Sequence, residues 1–127
     1  MNNVQKKRII TDTLIKAGAS IYDNGFYLLR DIVSTYIESE NPVKLKQKDV
    51  FAAVEKKYNM SLSSVQKYIR IPIDNAMRYA KIEFLEGYFG ICYRPETGTV
   101  TPKAFIMRVV DDVLLQIEEL EEKGGAA

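Results

Sequence analysis

The chain has 127 residues, of which 46% are hydrophobic and 28% are charged, with 18 basic and 17 acidic side chains. This length predicts one domain over residues 1–127 and excludes large multidomain enzymes. Histidine is absent and Cys92 is the single cysteine, which excludes an internal disulfide, a cysteine-rich metal site and the commonest general base. No stretch approaches the ~20 consecutive apolar residues of a membrane-spanning helix. We therefore expect a cytoplasmic protein with no membrane partner.

Hydrophobic spacing predicts helices along the first half of the chain. The first covers residues 4–17 and ends at Gly18, a residue suited to the C-terminal stop of a helix. The second begins near Phe26 and ends between residues 38 and 41, because Pro42 disfavours helical geometry in the residue before it. The third extends from residue 45 or 47 to Tyr58.

A tight turn over residues 59–61 precedes the fourth predicted helix. The hydroxyl of Ser61 is suited to cap this helix. Its inward-facing side chains are predicted to be Leu62, Val65 and Ile69. Pro72 interrupts the pattern, yet apolar spacing continues to Ala80. This predicts either one long kinked helix or two helices with nearly the same direction.

The remaining chain combines a turn-rich segment with a closing helix. Residues 87–101 contain several turn formers, and the alternation from Tyr88 to Tyr93 predicts a brief hairpin. The Thr101-Pro102 pair predicts the start of a helix that extends to Glu122. Its apolar residues suit packing into the core of this chain or a short seam between two chains. The fold is thus predicted to be all-α, a compact bundle of about five to six helices, with flexible ends over residues 1–5 and 123–127.

Charge is segregated along the sequence. Residues 41–81 carry nine basic against three acidic side chains, a net charge of +6, whereas residues 82–127 carry four against nine, a net charge of −5. The acidic pairs of the last helix, such as Asp111-Asp112, are interpreted as a solvated face. A basic central block is typical of a surface that binds a polyanion, although a solvated lysine-rich face has the same composition.

Residues 47–70 have the pattern of a helix-turn-helix, in which a second helix enters the major groove of DNA. The predicted outer face of that second helix presents Ser63, Ser64, Gln66, Lys67 and Arg70. Three lysines of the preceding helix are candidates for phosphate contacts: Lys48, Lys56 and Lys57. An ordinary helical hairpin with a solvated outer face shares this pattern.

The same region resembles the C-terminal effector domain of the sporulation master response regulator. The similarity is carried by residues 54–59, followed by Ser61, Ser63, Val65, Ile69-Arg70 and Ile73. It extends to an opening pattern of Leu14-Ile15, Gly18, Gly25-Phe26 and residues 27–30, and to a closing pattern of Phe89-Gly90, Pro102 and Phe105-Ile106. The resemblance covers about residues 9–115.

This resemblance implies an all-helical bundle with an embedded helix-turn-helix that binds promoter DNA as tandem copies. In that family a phosphorylatable receiver domain precedes this region; we expect none in this chain, because only about eight residues lie ahead of the matched region. The family motif has arginine at the position of Ser64, glutamate at Gln66, arginine at Lys67 and a small helix former at Pro72, whereas Arg70 matches. Because serine and lysine do not reproduce the bidentate fork of arginine, a different DNA site is expected.

The leading hypothesis is a DNA-binding transcriptional regulator with altered site specificity, which contacts double-stranded DNA in the major groove as a homodimer or as tandem copies. The alternative is a protein-interaction paralogue that kept the fold and lost base readout. An accessory protein of a mobile element with non-specific DNA binding is a third hypothesis. The sequence contains no catalytic constellation, so no enzymatic activity, cofactor, metal or small-molecule substrate is expected.

Overall fold

Six α-helices account for most of the structure. A computed structural model describes residues 1–125, in which the helices are α1 (Asn3–Lys16), α2 (Phe26–Glu38), α3 (Gln47–Tyr58), α4 (Leu62–Tyr79), α5 (Ile82–Phe89) and α6 (Pro102–Gly125). Two short 3-10 turns occupy Pro42–Lys44 and Gly90–Cys92. Extended pairing in the described residues is limited to one antiparallel bridge between Arg94 and Thr99. The prediction of an all-α bundle is confirmed.

The predicted helix starts agree with the observed caps. The Ser61 hydroxyl accepts a hydrogen bond from the Ser64 amide at 3.2 Å at the start of α4. At the start of α6, the Thr101 hydroxyl accepts from the Ala104 amide at 3.1 Å. Each bond satisfies one of the backbone N–H groups that the first helical turn leaves without a partner.

Helical structure begins and ends close to the two ends of the described chain. A reciprocal capping box between Asn2 and Gln5 starts α1, so residues 3–5 of the predicted flexible end are helical. At the other end α6 continues to Gly125. The rest of that predicted flexible end, residues 126–127, lies outside the described residues.

Helix α2 lies at the centre of the hydrophobic core. It packs against α1, α3, α4 and α6, and its fully buried side chains are Leu28, Leu29, Ile32 and Val33. The apolar side chains of α6 pack into this same core. Ile106, Val110, Val113 and Ile117 are buried. The periodicity of α6 therefore serves the core of this chain, and its last apolar residue, Leu120, is 47% exposed.

Gly25 makes a close approach between the start of α2 and the middle of α4. A Cβ atom added to Gly25 would lie 1.8 Å from the carbonyl oxygen of Tyr68 and 3.1 Å from Cδ of Pro72. Proline has no N–H, so Pro72 leaves the Tyr68 carbonyl without its usual partner one helical turn later. Helix α4 nevertheless continues through Pro72 to Tyr79, which selects the single long helix of the two predicted arrangements.

The hairpin predicted from Tyr88 to Tyr93 is wrong. Helix α5 extends to Phe89, and a 3-10 turn follows it. Leu85 and Phe89, spaced by one helical turn, are both buried, and Phe89 stacks on Phe105 with ring centroids 5.5 Å apart. The aromatic alternation therefore reflects the packing of one helical face against α6.

The inward face of α4 also differs from the prediction at one position. Val65 and Ile69 are buried as expected, but Leu62 is 44% exposed. Leu62 belongs to the first turn of α4 and lies on the rim of a groove that Phe51 and Ala52 also line. It therefore lines a surface groove between α3 and α4 and does not belong to the buried core.

Asp112 is buried in a polar network, which corrects the interpretation of the Asp111-Asp112 pair as solvated. Its carboxylate accepts hydrogen bonds from Tyr88 Oη at 2.6 Å and Gln116 Nε2 at 2.9 Å, and it lies 2.8 Å from Lys16 Nζ. Burial alone would raise the pKa of Asp112, but these donors outweigh burial and lower it. Burial and the bond to Asp112 raise the pKa of Tyr88. The network joins α1, α5 and α6.

Candidate nucleic-acid interface

The connection between α3 and α4 is a short turn with a defined conformation. Asn59 adopts left-handed backbone angles (φ 51°, ψ 51°), which asparagine tolerates better than most residues. The Met60 amide donates to the Glu55 carbonyl at 3.0 Å and so closes the end of α3. Ser61 then caps α4. The predicted turn over residues 59–61 is confirmed, and it fixes the direction in which α4 leaves α3.

The outer face of α4 is polar and exposed. Ser63, Gln66, Lys67 and Arg70 are all exposed, and their spacing of three, one and three residues places them on one face of a helix. The opposite face is buried through Val65. The structure therefore brings four of the five predicted side chains of α4 onto one solvent-facing stripe.

The serines of the first turn of α4 take part in its cap. The hydroxyls of Ser63 and Ser64 lie 3.2 Å and 3.0 Å from the Ser61 hydroxyl. Ser64 is half-buried and lies at the flank of the exposed stripe. The start of α4 thus presents short, mutually hydrogen-bonded side chains, and the long polar side chains begin at Gln66.

The three candidate lysines of α3 have different surroundings. Lys48 and Lys56 are exposed, and Lys48 lines a groove of about 360 Å³ that also includes Gln66. Lys57 is exposed as well, but it lies 2.9 Å from Asp31 of α2, and its hydrogen bond to that carboxylate raises the pKa of Lys57. Asp31 also accepts a hydrogen bond from the Tyr58 hydroxyl. The structure groups Lys48 with the α4 stripe and places Lys57 against α2.

The amino-acid sequence matches the model of a known family of protein domains. The family model described as Sporulation initiation factor Spo0A C terminal matches residues 10–113. The chain belongs to this family. The family consists of DNA-binding regulatory domains and not of catalytic ones, and the match confirms the resemblance to the sporulation regulator's effector domain.

Sequence reasoning missed two residues that border the exposed stripe in this Spo0A C-terminal domain. Gln47, at the start of α3, and Lys103, at the start of α6, line a cavity of about 290 Å³ together with Gln66 and Arg70. No local pattern identifies Lys103, because it reaches this place only through the packing of α6 beside α4. Lys103 therefore places a cationic side chain from a third helix, α6, near Arg70.

The described residues contain no group of three or more cysteine, aspartate or glutamate side chains arranged to hold a metal ion. None of the helices in residues 1–125 combines the length and apolar character needed to cross a membrane. Cys92 lies exposed in the second 3-10 turn.

Proposed function

We propose that this protein is a transcriptional regulator that inserts α4 into the major groove of double-stranded DNA. The observation that carries the proposal is the stripe of Ser63, Gln66, Lys67 and Arg70, exposed on a helix whose other face is held by the core. Such a helix can enter the groove, which is wide enough to accept it, without disturbing the packing of the domain. Membership of the Spo0A C-terminal family supports DNA as the partner.

Each side chain of the interface is assigned a role by its chemistry. Arg70 is suited to a bidentate contact with guanine, and Gln66 to a bidentate contact with adenine. Lys67 adds a positive charge beside them. Ser63 and Ser64 allow the start of the helix to approach the bases closely. Phosphate contacts are assigned to Lys48 and Lys56, while Lys57 is paired with Asp31 of α2.

We further propose that the DNA site differs from that of the related sporulation regulators. Ser64, Gln66 and Lys67 stand where the resemblance implies arginine, glutamate and arginine. Each bidentate arginine that is lost removes ~1–3 kcal/mol of discrimination between bases. The hydrogen bond of the Ser64 hydroxyl with Ser61 supports a capping role for this serine in place of base readout. Binding as a homodimer or as tandem copies, in the cytoplasm, completes the proposal.

Replacement of Arg70 by alanine tests the proposed reading helix. We expect Arg70→Ala to weaken binding to a selected duplex by about tenfold to a hundredfold, which corresponds to one bidentate base contact. Arg78→Ala is the matched control, because Arg78 is an exposed arginine near the end of the same helix. Fluorescence anisotropy with labelled duplexes measures both affinities. Equal losses in the two variants, with unchanged thermal stability, would exclude Arg70 as a base-reading residue.

A second candidate function is supported by the groove between α3 and α4. Phe51, Ala52 and Leu62 line this groove of about 360 Å³, and Leu62 is 44% exposed. Such an apolar surface favours the paralogue hypothesis, in which the fold binds another protein and base readout is lost. Leu62→Ser and Arg70→Ala together separate the two functions: in the paralogue Leu62→Ser would abolish partner binding and Arg70→Ala would leave it intact, whereas in a DNA-binding regulator Arg70→Ala would cause the larger loss of affinity for DNA.

A further inference from the structure

A cleft between α1 and α2 contains a second group of cationic side chains, apart from the α3–α4 interface. The cleft has a volume of about 400 Å³, and its walls include Lys6, Lys7, Arg30, Asp31, Ser34 and Glu38. An adjoining depression of about 270 Å³ shares Lys7 and Arg30 and adds Arg8. Lys7 and Arg30 therefore lie where the cleft meets the adjoining depression.

Arg30 has a hydrogen-bonding group that the fold does not satisfy. Its Nε atom is buried and has no hydrogen-bond acceptor, while its guanidinium carbon lies 6.0 Å from the centre of the Phe26 ring. A buried donor without an acceptor costs free energy, and nearly all such groups in folded proteins are paired. Because Nε itself is closed to solvent, a ligand in the cleft can reach this guanidinium only at its two terminal nitrogens.

The acidic side chains of the cleft already have cationic partners. Glu38 lies 3.6 Å from Lys6 Nζ, and Asp31 lies 2.9 Å from Lys57 Nζ. Among the described residues, no carboxylate oxygen lies within 4.0 Å of the side-chain nitrogens of Lys7 or Arg30. The positive charge of these two residues is thus available to a bound anion.

We propose that this cleft binds the phosphate group of a small phosphorylated molecule, with Arg30 and Lys7 as the phosphate ligands. Arginine offers a planar set of donors that matches phosphate, and lysine adds a compact positive charge. The concave shape suits a small ligand better than a duplex. The Ser34 hydroxyl and the remaining lone pairs of the Asp31 and Glu38 carboxylates would accept hydrogen bonds from hydroxyl groups of the ligand. The ligand is bound and not converted, and the proposal is independent of DNA binding by α4.

Nuclear magnetic resonance of the full chain tests this proposal. Ribose 5-phosphate and inorganic phosphate are the probes, and ribose is the uncharged control. We expect both phosphates to shift the Nε–Hε resonance of Arg30 and the amide resonance of Ser34 in a saturable manner, and ribose to leave both unchanged. The absence of a saturable shift would overturn the proposal.

Two variants identify the phosphate ligands. Arg30→Gln and Lys7→Gln are each expected to lower the affinity for ribose 5-phosphate about tenfold, as for one charge-assisted hydrogen bond. Lys7 is exposed, so Lys7→Gln is expected to fold and tests the phosphate site even if Arg30→Gln does not fold. Lys81→Gln, at an exposed lysine before α5, is the matched control and should bind normally. Equal affinities of Lys7→Gln and Lys81→Gln, or shifts produced by a DNA duplex and not by the small phosphates, would contradict the assignment.

Discussion

Gly25→Ala is expected to lower the free energy of unfolding by about 3 kcal/mol or more, at the upper end of what overpacking produces. The added methyl group would lie 1.8 Å from the Tyr68 carbonyl oxygen, an atom of the α4 backbone that no side-chain rotation can move. The start of α2 would have to separate from α4. Because α2 lies at the centre of the core, that separation would loosen the packing of the whole bundle. Urea unfolding followed by far-UV circular dichroism measures the effect.

Gly87→Ala is the matched control for Gly25→Ala. Gly87 lies within α5, and a Cβ atom there would meet nothing within 4 Å. Alanine should therefore raise the free energy of unfolding by up to about 1 kcal/mol, the difference in helix propensity between the two residues. A small loss in Gly25→Ala, comparable with the change in Gly87→Ala, would contradict the close approach of α2 to α4.

Asp112→Asn is expected to lower the free energy of unfolding by about 2–3 kcal/mol, because hydrogen bonds to a charged group are lost. The amide group of asparagine would place its NH₂ against donors that now bond to the carboxylate, and Lys16 would lose its counterion. Asp111→Asn is the control. Asp111 is the exposed neighbour, and its replacement should change the free energy of unfolding by less than about 0.5 kcal/mol.

The same network predicts how stability depends on pH. Folding lowers the pKa of Asp112, so its charged form adds stability at pH values above the unfolded-state pKa of ~3.9. This contribution is lost as the pH falls through the lower pKa of the folded state. Urea unfolding at a series of acidic pH values should show a smaller loss of stability in Asp112→Asn than in the unmodified protein. Identical pH profiles would exclude Asp112 as a source of acid sensitivity.

Features encoded by neighbouring residues were predictable from the sequence. Ser61 and Thr101 cap helices because their hydroxyl oxygens accept hydrogen bonds from backbone amides three residues later. A cap of this kind depends only on a few adjacent residues. The outer stripe of α4 was predictable for the same reason, since helical spacing alone places Gln66, Lys67 and Arg70 together. The order and type of these elements follow from local chemistry.

Features that depend on distant residues escaped prediction. Asp112 resembles a solvated acid in sequence, and its burial follows from donors 24 and 96 positions away, Tyr88 and Lys16. Lys56 and Lys57 are equivalent in sequence, yet the packing of α3 against α2 pairs only Lys57 with Asp31. Helix α5 was missed because Gly87 and Gly90 indicated turns, whereas burial of Leu85 and Phe89 stabilises a helix. Tertiary packing decides each of these outcomes.

Selection of duplexes from a random pool, followed by fluorescence anisotropy at several salt concentrations, tests whether α4 reads the base sequence of DNA. In this member of the Spo0A C-terminal family, α4 is the helix proposed to enter the major groove. We expect an enriched sequence motif and an affinity that falls steeply as the salt concentration rises, because Lys48, Lys56 and the α4 stripe displace counterions from the phosphates. Binding without an enriched motif would contradict base readout by α4. The absence of binding at low salt would contradict DNA binding altogether and favour the protein-interaction paralogue.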